Sequence, residues 1–160
     1  MTQAKPMIEN SESSSWVEPI LADPRELDAA ELADVRAAIE ASARKDPSVS
    51  ADAILEELLA DECALWALCD FDGDVHGYLV TQMVSYPNSF SAFSIQVATL
   101  FEHRISADNM RSIVRYLEEV ARTQGMDVLR VVGRKGWTRV LTDYSEVYRV
   151  IEKSLAMEVN

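Results

Sequence analysis

The stretch FSIQVATL, residues 93–100, followed by FEHRISADN, residues 101–109, decides the fold of this chain. Apolar residues at every second position of the first part predict a β-strand, and the second part predicts the start of a helix. A strand that leads into a helix N-terminus resembles a phosphate site, where glycines let backbone N–H groups approach the anion. Ala107 and Asn109 stand where such glycines would be, and Asp108 adds a carboxylate. The sequence therefore argues against a phosphate site at this helix.

The C-terminal half continues from this stretch as alternating helices and strands. Ser106 predicts the N-cap of a long amphipathic helix, and Gly125 predicts its end. An apolar run over residues 128–132 predicts a buried strand, with Leu129 and Val131 against the long helix. Further elements are predicted in order: a short helix over residues 137–141 and a final strand over residues 146–155.

The N-terminal half begins with a polar, serine-rich arm over residues 1–15. A short apolar segment over residues 16–21 predicts an edge strand, because Pro19 lacks an N–H for a central position. Asp23, followed by a proline, predicts the start of a helix, and Ser50 predicts the cap of a second, shorter helix.

Three strand-like runs follow, over residues 63–70, 75–86 and 90–101. The first two are joined by FDGD, residues 71–74, whose Asp-Gly centre predicts a hairpin turn. The full order is β-α-α-β-β-β-α-β-α-β, which predicts an α/β fold with a mixed, mostly antiparallel central sheet and helices on both faces.

Composition narrows the classes of protein. A chain of 160 residues suits one domain, predicted here over residues 16–160 after the flexible arm. No run approaches the roughly 18 apolar residues of a membrane span, and the polar N-terminus does not resemble a secretory signal. We therefore expect no membrane partner. Cys63 and Cys69 predict buried thiols in a reducing cytoplasm.

The net charge of −12 is concentrated at the N-terminus, because residues 1–62 hold 15 acidic and 5 basic residues. Such a field repels nucleic acid, so no direct nucleic-acid binding is expected. Two interpretations stay open: a solvated helical face, or a surface that docks onto a basic partner as an inhibitor or DNA mimic.

The order of elements resembles that of the GNAT-type N-acetyltransferases, which have the acyl-CoA N-acyltransferase fold. The resemblance covers residues 16–155 and is best carried by the C-terminal half. GRKGW, residues 133–137, followed by Tyr144 and by VYRVIEK, residues 147–153, resembles short GNAT-like proteins of tailed bacteriophages.

The family implies a coenzyme motif of the form Gln/Arg-x-x-Gly-x-Gly/Ala, whose backbone N–H groups hold the pyrophosphate. Here the motif reads Arg104-x-x-Ala107-x-Asn109, in which only Arg104 fits. If the chain is an enzyme that uses acetyl-CoA, Arg104, Ala107 and Asn109 are its cofactor-binding residues.

The family also implies a carboxylate base on the central strands and a tyrosine acid after the fifth strand. Glu102 and Asp70 are the candidates for the base, although Asp70 equally suits a hairpin turn. Tyr144 and Tyr148 lie near the position of the acid, and both equally suit packing. No catalytic residue is therefore assigned.

Other charged groups suggest no further site. Asp72 and Asp74 lack the ligands that complete a calcium loop, so no metal is expected. Arg134 and Lys135 suit charges in a loop before a helix.

Three functional hypotheses follow. The first is a catalytically inactive GNAT-like protein of a tailed bacteriophage, found in the host cytoplasm during assembly and then in the virion. Its partners would be other phage structural or assembly proteins, with the arm as a docking segment and Trp16 as its first anchor. The second is a divergent acetyl-CoA-dependent N-acetyltransferase. The third is an acidic inhibitor or DNA mimic.

Overall fold

A five-stranded sheet organises the part of the chain that the structure describes. In the computed structural model, the described part of the chain comprises residues 16–44, 49–101, 105–132 and 137–147, together with Lys153 and Leu155. The strands are β1 (Glu18–Ala22), β2 (Ala64–Cys69), β3 (Val75–Ser85), β4 (Ser91–Leu100) and β5 (Val128–Val131). The helices are α1 (Ala29–Ala43), α2 (Ala51–Leu59), α3 (Ala107–Thr123) and the short α4 (Trp137–Val140).

The strands lie in the order β1-β2-β3-β4-β5. The first three pairs are antiparallel, and β4 pairs with β5 in parallel. The parallel pair needs a crossover connection, and α3 supplies it between β4 and β5. The predicted fold class, α/β with a mixed, mostly antiparallel sheet, is therefore confirmed.

Two apolar clusters on opposite faces of the sheet form the core, so helices cover both faces as predicted. The cluster under α3 includes Leu117, which is fully buried, and Leu129 and Val131 pack against it. The predicted face of β5 is thus confirmed. On the other face, α1 and α2 contribute Val35, Ala38, Ile39 and Leu58 to a second cluster.

A β-bulge in β4 determines which side chains reach each cluster. Ile95 pairs with Thr81 and Val97 pairs with Val80, so Gln96 has no partner on β3. The extra residue reverses the alternation: Ile95 packs in the cluster under α3, whereas Val97 packs under α1 and α2. The unbroken alternation predicted over residues 93–100 is therefore wrong at its centre.

The helix predicted to begin at Asp23 starts later. Asp23 caps only a 3-10 turn (Pro24–Glu26), because Leu27 then adopts an extended conformation. Asp28 provides the cap for α1, accepting a hydrogen bond from the N–H of Glu31 at 2.8 Å.

Three further differences from the predictions concern the burial of Leu59, the burial of β5 and the final strand. Leu59, the last residue of α2, is 49% exposed, although it follows Leu55 at helical spacing. The strand predicted as buried, β5, is half-buried, because β4 is its one partner in the described part of the sheet. In the final predicted strand, residues 146 and 147 are not in a strand, and residues 148–152 lie outside the described residues.

The arm over residues 1–15 also lies outside them, so its boundary with the domain stays a prediction. In the part of the chain that the structure describes, no helix is long and apolar enough to cross a membrane.

Candidate functional site

A groove opens where β4 and β5 separate. The pairing of the two strands ends at Ile95 and Val131, next to the bulge, and β4 then continues to Leu100 with β3 as its one strand partner among the described residues. The groove is lined from one face of the sheet by Met110 of α3 and from the other by Ser42 of α1. It therefore passes between the two strands and is accessible from both faces.

The exposed edge of β4 offers backbone hydrogen-bonding groups to this groove. The N–H of Phe101 donates to the carbonyl of His76 at 2.7 Å. Along an antiparallel strand, the backbone N–H and C=O groups of successive residues point alternately to one neighbouring strand and to the other. The N–H and C=O groups of Thr99 and Val97 therefore also point to β3. The N–H and C=O groups of Ala98 and Leu100 then face the side from which β5 has turned away. An extended ligand with amide groups fits this edge as an additional strand would.

The N-terminus of α3 lies at the same groove, which is lined by Ser106 and Ala107. The Ser106 hydroxyl accepts a hydrogen bond from the N–H of Asn109 at 3.0 Å, and its carbonyl accepts one from Met110 at 3.1 Å. The N–H groups of Ala107 and Asp108 have no partner among the described residues. Two free N–H groups at the positive end of a helix of 17 residues favour an anion.

The side chain of Asn109 does not obstruct this anion position, although a residue with a side chain at this position argued against a phosphate site. The residue is 1% exposed, and its side-chain amide donates to the carbonyl of Val17 at 2.8 Å. Its carbonyl oxygen accepts a hydrogen bond from the N–H of Val17 at 2.9 Å. Both ends of the side chain therefore fix the entry to β1, and its own N–H is held by Ser106. The side chain of Asn109 therefore packs at the entry to β1, and the role of Asn109 as a cofactor-binding residue stays a prediction.

Asp108 is also directed away from the groove. Its side chain is 84% exposed and forms an ion pair with Arg111 at 2.8 Å. Arg111 in turn donates to the carbonyl of Val140 at 2.8 Å, which ties α4 to the first turn of α3. The carboxylate is thus solvated and partly neutralised. The expectation that it occupies the phosphate position is wrong.

Tyr144 lines the groove, but its hydroxyl is already engaged. It donates to a carboxylate oxygen of Glu118 on α3 at 2.6 Å. Burial and this hydrogen bond raise the pKa of Tyr144 well above its usual range. The hydroxyl stays protonated at neutral pH and is committed to Glu118, so Tyr144 anchors the segment after α4 to α3.

Of the two interpretations of Asp70, a catalytic base or a residue of the hairpin turn, the contacts of its side chain favour the turn. One carboxylate oxygen accepts hydrogen bonds from the N–H groups of Asp72 at 2.8 Å and Asp74 at 3.1 Å. The other lies 2.6 Å from the Nε2 atom of His76. The contact with His76, assisted by the two N–H groups, lowers the pKa of Asp70, which opposes a role as a base at neutral pH.

Several sequence-predicted residues lie outside the described residues: Arg104, Glu102, Tyr148, Arg134 and Lys135. Their proposed contacts with a coenzyme or substrate stay predictions. Trp16 is described and half-buried, and its role as an anchor for a partner also stays a prediction.

The structure adds a pair that the sequence analysis missed. Glu57 of α2 and Cys63 both line the groove, and the Cys63 thiol donates to a carboxylate oxygen of Glu57 at 3.2 Å. The sequence signal was weak: Glu57 follows Ile54 by three residues, which places it beside the apolar stripe of α2.

Comparisons with known proteins bear on the fold. No protein-family model matches the chain, and no curated protein matches it in sequence. Among solved structures, an aminoglycoside acetyltransferase from an uncultured soil metagenomic sample is 12% identical, with 89% of this chain and 99% of that chain covered and a TM-score of 0.59. A ribosomal-protein-alanine N-acetyltransferase from Brucella melitensis biovar Abortus 2308 is 14% identical, with 88% and 96% covered and a TM-score of 0.55.

A predicted acetyltransferase with acetyl-CoA from Clostridium acetobutylicum is 12% identical, with 87% of this chain and 96% of that chain covered and a TM-score of 0.60. At such identities the likeness concerns the fold alone. It extends over most of each chain, and it agrees with the order of elements and the sheet described above. The chain has the fold of the GNAT-type N-acetyltransferases.

Proposed function

We propose that the protein is an N-acetyltransferase that uses acetyl-CoA. One arrangement carries the proposal: strands β4 and β5 separate beside a helix N-terminus where the N–H groups of Ala107 and Asp108 have no partner among the described residues. The solved structure from Clostridium acetobutylicum, which has a similar fold, contains acetyl-CoA. The sequence had favoured an inactive protein because of Asn109 and Asp108, and neither side chain lies in the groove.

The groove fits the chemical parts of the coenzyme. Its pantetheine arm contains two amides, which match the open N–H and C=O groups of Ala98 and Leu100. Its pyrophosphate is an anion suited to the N–H groups of Ala107 and Asp108. When bound, acetyl-CoA supplies a thioester whose acetyl group passes to an amine nitrogen. The C–S bond breaks, the amine loses one proton, and coenzyme A leaves as the thiol.

A charge placed at the helix start tests this proposal. Ala107→Glu puts a carboxylate at the first position of α3, where it stabilises the helix but repels a phosphate. Ala29→Glu is a matched control, because Ala29 is the exposed first residue of α1. We expect calorimetry to detect acetyl-CoA binding in the wild type and Ala29→Glu, and to find it at least about tenfold weaker in Ala107→Glu.

A wild-type protein that binds neither acetyl-CoA nor coenzyme A would refute the proposal. Transfer is tested separately by thiol release and by mass spectrometry of acetylated amines. If Ala107→Glu and Ala29→Glu weakened acetyl-CoA binding equally, the N-terminus of α3 would be excluded as the phosphate position.

A second candidate is a protein of this fold without catalysis, serving as an assembly or virion protein of a tailed bacteriophage. It is favoured by the engaged hydroxyl of Tyr144 and by the position of Asp70 in a hairpin turn. Under this hypothesis the protein transfers no acetyl group, and other phage structural proteins are its partners. Deletion of residues 2–15 would then prevent its incorporation into particles, while the domain still folds.

The third hypothesis, an acidic inhibitor or DNA mimic, rests on the charge of residues 1–62. It predicts that a pull-down recovers a DNA-binding protein, and that recovery is lost as salt increases. Nothing in the groove is needed for that function.

A further inference from the structure

The carboxylate of Glu57 lies at the groove on the face of the sheet that α1 and α2 cover. Glu57 is half-buried near the end of α2, and the same groove is lined by Gln82 and Gln96 from the sheet. The bulge at Gln96 marks the point where β4 and β5 separate. A carboxylate therefore borders the groove on the face opposite α3.

Cys63 holds this carboxylate in place. Its thiol donates to one oxygen of Glu57 at 3.2 Å. Burial, followed by the hydrogen bond to Glu57, raises the pKa of Cys63 to about 12, so the thiol stays a neutral donor at neutral pH. The second oxygen of Glu57 has no hydrogen-bond or ion-pair partner in the described part of the chain. It is thus left for a cationic ligand.

The helices around Glu57 reinforce its preference for a cation. Together α1 and α2 contain six acidic residues and one basic residue, Arg36. Arg36 is paired with Asp52 at 2.8 Å and lies 3.9 Å from Glu40. Such an excess of negative charge attracts positively charged ligands to this face.

We propose that Glu57 binds a non-reacting ammonium group of the acceptor, and that the acceptor is a small diamine or polyamine. An ammonium paired with a carboxylate keeps its proton and has no lone pair for attack on a thioester. The amine that receives the acetyl group must therefore be a different one on the same molecule. This inference rests on the proposed acetyltransferase function.

The first test compares two acceptors of equal length, 1,4-diaminobutane and 1-aminobutane. We expect wild-type kcat/KM to favour the diamine, and Glu57→Gln to reduce that preference about tenfold, since a hydrogen bond to a charged group is lost. Glu56→Gln is the matched control, because Glu56 is the exposed neighbour on the same helix. An unchanged preference in Glu57→Gln, or an equal loss in Glu56→Gln, would overturn the proposal.

The second test needs no turnover. In a Cys69→Ser background at alkaline pH, iodoacetamide slowly labels Cys63, the remaining thiol, through its small thiolate fraction. We expect spermidine to slow this labelling, and the protection to disappear in Glu57→Gln but not in Glu56→Gln. Absence of protection in the wild-type groove contradicts the proposal. If spermidine protects Cys63 but the protein does not bind acetyl-CoA, the acetyltransferase function is refuted, whereas the amine site at Glu57 is supported.

Discussion

Asn109→Ala separates the structural role of this residue from the role that the family motif implies. The substitution introduces a residue that the motif accepts, but it removes two hydrogen bonds to the backbone of Val17, at 2.8 and 2.9 Å. Val17 is 1% exposed, so its N–H and C=O are left without partners in a place that water does not readily reach. Each orphaned group costs about 1–3 kcal/mol, and for the two groups together we expect a total loss of roughly 2–6 kcal/mol.

Urea denaturation followed by circular dichroism measures this loss. For a chain of this size, the loss lowers the thermal midpoint by roughly 4–24 °C. Asn109→Asp is the intermediate variant, because its carboxylate can still accept from the N–H of Val17 but cannot donate to its carbonyl. Acetyl-CoA affinity should stay unchanged in the folded Asn109→Ala protein. Unaltered stability, or tighter coenzyme binding, would refute our assignment of Asn109 to packing.

Three further predictions concern the core, the sheet and the hairpin. Leu117→Ala should lower the free energy of unfolding by about 2–5 kcal/mol in denaturant, because Leu117 of α3 is fully buried against the sheet. An unchanged midpoint would mean that this face of α3 does not pack on the sheet. Gly77→Ala would place a Cβ 2.2 Å from the carbonyl oxygen of Thr99, and we expect a loss of about 1–3 kcal/mol in the same assay. The pKa of Asp70 is lowered from 3.8 by His76, so its contribution to stability is present above that pH and is lost as the pH falls below it. Asp70→Asn should therefore flatten the dependence of unfolding free energy on pH between about 5 and 2, and a parallel dependence in both proteins would show that the pair is not stabilising.

The sequence by itself determined the fold class and most boundaries of the helices and strands. Ser50 and Ser106 accept hydrogen bonds from helix N–H groups as their positions predicted. The Asp-Gly turn joins β2 to β3, with Gly73 at a φ of +85°. Alternation left two faces of β5 open, and the all-apolar face, with Leu129 and Val131, is the one that meets α3. These features depend on residues that are close in sequence, so local patterns contain the information.

Tertiary structure alone decided the character of the groove. The bulge at Gln96 depends on how β3 and β4 pair, and one extra residue cannot be read from the apolar pattern. The function of Asn109 depends on Val17, which is 92 positions away. Glu57 lines the groove because α2 packs on the sheet beside the separated strands, where the Cys63 thiol donates to its carboxylate. The motif therefore argued against a phosphate site, whereas in the structure neither of its unfavourable side chains lies in the groove. The long-range contact with Val17 holds Asn109, and an ion pair with Arg111 on the same helix holds Asp108.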